Sequence, residues 1–140
     1  MRPADCARRW LLLPAAAALV LSGLAAGCSS SKPAYCADVD QLKTAVQNLG
    51  NVNVVKNGLS SVQTALSSVK TSASTLATDA KSTFAPQITA LQTSLSGLQT
   101  AITSAKGQPL TTSATAVVSA ITQVKNSASA LESAVSGKCQ

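Results

Sequence analysis

Apolar residues recur every three and four positions through most of the chain, and that spacing admits helices and little else. Val39, Leu42, Val46 and Leu49 step by 3, 4 and 3. Val55, Leu59, Val62, Leu66, Val69, Ala73, Leu76 and Ala80 alternate 4 and 3 without a miss, as do Ile88, Leu91, Leu95, Leu98, Ile102 and Ala105. A last segment repeats the pattern from Leu110 through Ala114, Val117, Ile121, Val124, Ala128 and Leu131 to Val135. Such a stripe occupies one side of an α-helix. Held over several heptads, it makes the seam of a coiled-coil-like bundle, in which frequent Ala lets helices approach closely. Strands are not supported.

The stripe is interrupted where Gly, Asn and Pro act as stop signals: Gly50-Asn51-Val52-Asn53 with Asn57-Gly58, and Lys106-Gly107-Gln108-Pro109. Gly137 closes the last helix. Pro86 either opens a helix or kinks one. Nothing resembling a loop separates Phe84-Ala85 from Gln87-Ile88, and the heptad slips by one residue between Ala80 and Ile88. Both observations favour a kink.

The N-terminus carries a different signal. Arg2, Arg8 and Arg9 precede an apolar run from Trp10 to Leu24. That run is shorter than the roughly 20 residues a membrane-spanning helix needs, so it reads as a removable signal peptide. Arg8-Arg9 loosely resembles a twin-arginine export signal, but any such region needs positive charge, and the ordinary unfolded-export route is favoured. The run ends in Leu24-Ala25-Ala26-Gly27-Cys28. This resembles the lipobox of bacterial lipoproteins, with Leu24 one step earlier than that family usually places its leucine. The resemblance implies a diacylglyceryl group on the Cys28 thiol and cleavage just before it. Residues 1–27 are then signal, 28–35 a lipidated tether and 36–140 a helical domain.

Cysteine arithmetic points the same way. Cys6 leaves with the signal, so Cys28, Cys36 and Cys139 remain, an odd number for a chain outside the cytosol. With lipid on Cys28, Cys36 and Cys139 are free to form a disulfide. Helix lengths at about 1.5 Å per residue are compatible with that pairing. A short helix from Cys36 to Leu49 with its connection rises roughly 35 Å, a kinked helix from Gly58 to Ala105 descends about 70 Å, and the last helix climbs about 40 Å. The expected fold is all-α, an antiparallel three-helix coiled-coil-like bundle with one long kinked helix. A four-helix bundle split at Pro86 is the alternative; it leaves the two cysteines roughly 15 Å apart by the same count.

Little in the chain suggests catalysis. It has no histidine, the commonest general base. Beyond Cys28 it has four scattered acids, Asp38, Asp40, Asp79 and Glu132. Asp38 and Asp40 sit two apart, on different helix faces, and read as favourable charge in a first helical turn. Neither a metal site of the Cys/His type nor a cofactor is expected. Nucleic-acid binding needs clustered cations with stacking aromatics, whereas the only aromatics past the signal are Tyr35 and Phe84.

The same segment has eight lysines and no arginine, for a net charge of +4. With the seam at a and d, Lys43, Lys56, Lys70, Lys106 and Lys125 fall at e positions. Their stems are expected to cover the seam edge, and a basic stripe toward an anionic surface is the sharper possibility. The polar faces are Ser and Thr, residues of modest helix propensity.

Taken together, the signal, the Gly27-Cys28 site and the Ser/Thr/Ala-rich helices resemble small secreted or lipid-anchored helical proteins of actinobacteria. That resemblance implies an address on the outer face of the cell membrane and no ligand. The expected function is a non-enzymatic envelope spacer, scaffold or partner-binding module anchored through Cys28. A partner or second copy would contact Leu91, Leu95, Leu98 and Ile102, left bare by a short first helix. The alternatives are a carrier of a lipid or other apolar ligand and a soluble secreted helical protein.

Overall fold

A computed structural model describes residues 32–80 and 82–140. These form four helices, α1 (Ala34–Gly50), α2 (Val54–Ala80), α3 (Ala85–Ala105) and α4 (Leu110–Ser136), and no strand is present among the described residues. The chain is all-α, as its period requires.

The single kinked helix through Pro86 is not found. α2 stops at Ala80, where the Thr83 N–H bonds the Ala80 carbonyl at 3.1 Å and the Ala85 N–H bonds Ser82 at 3.4 Å. Pro86 lies in the first turn of α3, where its missing N–H would have had no helical partner. The turn therefore precedes the proline. Its Phe84, 5% exposed, folds into the core. The one-residue heptad slip between Ala80 and Ile88 marks the passage from one helix to the next.

A second departure lies at the start of α2. The Lys56 N–H bonds Asn53 Oδ1 at 2.9 Å, starting a turn that Gly58 interrupts at φ 73° and ψ 175°. That positive φ suits glycine and rotates the preceding turn relative to the rest of α2. Val54 consequently enters the core at 3% exposure, whereas Val55, expected on the stripe, is 61% exposed.

α1 packs on α2 and α4, α3 packs on α2 and α4, and α2 also touches α4 directly. Leu42, Leu66, Leu76, Leu98 and Leu131 are fully buried at the centre, with Ala73, Ala105 and Ala128 among the small residues between them. The outer faces satisfy themselves locally. Thr71, Thr93, Ser96 and Thr122, among many others, donate their hydroxyls to the carbonyl four residues back.

Candidate functional site

The end of the bundle where α1 begins and α4 finishes gathers the chain's least ordinary residues. Cys36 lies in the first turn of α1, and its N–H bonds the Pro33 carbonyl at 2.9 Å. Cys139 follows α4 by three residues, its N–H bonded to Ser136 at 3.3 Å. The two sulfurs are joined in a disulfide with the Cα atoms 5.8 Å apart. The pairing reached by counting is the one found. Cys28, the expected lipid site, and the signal lie outside the described residues.

Tyr35 and Phe84, the two aromatics past the signal, meet edge-to-face with ring centroids 5.4 Å apart. The contact brings the α2–α3 turn to the same end and contributes about 1 kcal/mol beyond simple burial.

Asp38 is not a first-turn surface charge. Because α1 begins at Ala34, Asp38 falls in the second turn, four residues before Leu42 on the core side, and is only 7% exposed. Burial, then a hydrogen bond to the Asp79 carboxyl and the charge of Asp79, push its pKa above the ordinary 3.8. Its Oδ2 is buried without a hydrogen-bond partner. A carboxyl buried in this way beside a second carboxyl is less costly to bury with its proton kept, so the fold favours protonated Asp38.

The raised value sets the sign of the pH dependence. The stability that protonated Asp38 contributes is complete below the unfolded value of 3.8 and is lost as pH rises through the folded one. An Asp38→Asn variant is expected to melt several degrees above the parent at pH 7 and at nearly the same temperature near pH 3.5, a difference of about 1 kcal/mol for a domain this size. Thermal unfolding followed by circular dichroism across that pH range checks it. A parent at least as stable as the variant at pH 7 excludes the penalty.

Beside the disulfide, an open groove of about 530 Å³ runs between α1 and α4. Ala37, Val39 and Val135 line it with the bridge, and Asp40, Lys43 and Glu132 form part of its rim. Lys43 Nζ lies 3.7 Å from Glu132 Oε2. Both side chains are partly exposed, and such a pair is worth less than about 1 kcal/mol.

The five lysines do not form one stripe. Lys43 and Lys125 lie on the α1–α4 seam, where the Lys125 stem passes so close to Gly50 that a Cβ there would be 3.3 Å from Lys125 Cδ. Lys70 belongs to the α2–α3 seam, its Nζ donating to Gln99 Oε1 at 3.1 Å. Lys56 stands exposed in the first turn of α2, and Lys106 is exposed just past α3. A shared e position puts residues beside a seam, and here the seams differ.

The expected partner surface also needs correction. Leu91, Leu95, Leu98 and Ile102 are 0%, 3%, 0% and 0% exposed. Contacts of α3 with both α2 and α4 enclose them, so a short α1 leaves none of them bare. Among the described residues, the large apolar ones that are exposed, Val55 and Val118, are isolated valines of a kind ordinary on folded surfaces.

Among the described residues, no helix is long and apolar enough to cross a membrane, and no three or more His, Cys, Asp or Glu side chains cluster as a metal site requires. No family model, curated protein or solved structure matches the chain.

Proposed function

We propose that the chain is a non-enzymatic spacer or partner-binding module, held by lipid on Cys28 at the outer face of the cell membrane, whose four helices act as one antiparallel bundle. The observation that carries this reading is the Cys36–Cys139 bridge. It occupies two of the three cysteines past the signal and leaves Cys28, at the end of a lipobox-like stretch, as the one available for acylation. Four helices with short connections, and a bridge between the first and the last, support the antiparallel arrangement. No cofactor enters this function.

The test is the intact mass of membrane-extracted protein, with and without reductant, followed by peptide mapping. A diacylglyceryl mass on a peptide beginning at Cys28 is expected, with Cys36 linked to Cys139. A free Cys28, or one in a mixed disulfide, would instead describe a soluble secreted protein or a covalent dimer. The second reading, a carrier of an apolar molecule, is favoured by the groove beside the bridge, since the interior is filled by its own side chains. Organic extraction of native protein that yields no stoichiometric apolar compound rejects the carrier.

A further inference from the structure

Three of the four helices form a closed set: α2, α3 and α4 each pack on the other two, whereas α1 lies on α2 and α4, away from α3. α1 is therefore the helix the others would best survive losing. Its two halves are not held alike. The second half contains Leu42 and Leu49, sealed at 1% and 0% exposure, while no residue of the first two turns falls below 7%. In those turns the open groove separates α1 from α4, and Asp38 Oδ2 is buried without a hydrogen-bond partner, an arrangement that costs stability. From α2, Asp79 faces the Asp38 carboxyl and adds a like charge. From α4 and its tail, the charged groups at this end are Glu132, paired with Lys43, and Lys138; no lysine pairs with Asp38 among the described residues.

We propose that the first two turns of α1, residues 34–40, are a latch that the Cys36–Cys139 bridge holds shut against the buried Asp38 carboxyl, and that reducing the bridge at neutral pH opens the latch while the rest of the bundle stays folded. Local opening of this kind belongs to the least sealed part of a fold. Both cysteines line the groove, and Cys139 is the more exposed of the two, so a dithiol reaches the bridge from solvent. One thiolate of the dithiol attacks a bridge sulfur and the other displaces the mixed disulfide. The dithiol leaves as a disulfide, and Cys36 and Cys139 remain as thiols. Opening separates Tyr35 from Phe84 and widens the groove over Val135. Because the closed state holds Asp38 above its ordinary 3.8, the opening force is absent below that value and grows as pH rises through the closed-state one. The latch is independent of what Cys28 carries.

The test is hydrogen exchange, corrected for intrinsic rates, on full-length protein in neutral detergent, oxidised or reduced with dithiothreitol and kept free of oxygen. In the reduced parent at pH 7, amides of residues 36–42 are expected to be at least about tenfold less protected than those from Leu91 to Ile102 in α3; in the oxidised parent the gap is below about threefold, since a tied first turn leaves only with the whole bundle. In the reduced chain, Asp38→Asn raises latch protection about fivefold at pH 7 and less than about twofold near pH 3.5. A gap of the same size in both redox states overturns the proposal, as does a reduced chain with no protection left in α3. An Asp38→Asn latch as poorly protected as the parent's at pH 7 overturns it by removing the opening force.

Discussion

Replacing Cys36 and Cys139 together with serine is expected to lower the melting temperature by about 20 °C, the largest effect of any change considered for this chain. The two residues are 103 apart in sequence. Closing so long a loop restricts the unfolded chain by about 4 to 5 kcal/mol in the entropy model, against a total stability of about 5 to 15 kcal/mol for ordinary domains. Beyond the apolar core, other sources of stability are sparse here. The Lys43–Glu132 pair is partly exposed, and the polar faces are built from Ser and Thr, which favour helix only modestly. α1, the shortest helix, rests on α2 and α4 alone, and the bridge ties its first turn to the residues just past α4. Thermal unfolding of oxidised parent, reduced parent and the double variant measures the effect. A drop below about 5 °C would mean that the helical core holds itself together.

Leu98→Ala is expected to cost about 3 kcal/mol, within the 2 to 5 usual for a leucine removed from a packed core. Leu98 is 0% exposed in the middle of α3, among the leucines and alanines of the centre. The variant separates two pictures of the same residue. As part of a bare contact surface, Leu98 would lose less than about 0.5 kcal/mol on truncation and leave the isolated protein's melting curve almost unchanged. As a core residue, it leaves a cavity that the surrounding helices close only in part. Denaturant unfolding with an unchanged slope and a lower midpoint is the expected signature.

The periodicity of the chain made the helices legible, because a stripe of steps 3 and 4 has one structural meaning over such lengths. The turn between α2 and α3 was not legible, because Ser82, Thr83 and Phe84 carry no glycine, asparagine or proline to announce it. The heptad slip was visible at that place and admits two causes, a kink or a reversal, that residue spacing alone does not separate. Asp38 offered a better clue than it first gave. It precedes Leu42, Ala45 and Leu49 by 4, 7 and 11 residues, a core-facing series, and an acid in such a series implies burial. Its partner Asp79 is 41 residues away and comes near only through the fold. The lysines show the opposite limit: heptad letters place each beside some seam and say nothing of which helix lies across it. The disulfide was legible because three cysteines lie past the N-terminal apolar run, and the lipobox-like reading of Cys28 leaves Cys36 and Cys139 as the pair.

The bridge also makes the chain from Cys36 to Cys139 a covalent ring that passes through all four helices. One proteolytic cut in any of the three connections opens the ring without releasing a fragment, since each half stays tied to the other through sulfur. Loss of part of the bundle needs two cuts, or one cut and a reductant. A cut ahead of Cys36 frees the ring whole. With Cys28 anchored as proposed, a single cut would shed the bundle only ahead of Cys36, and would then shed it whole.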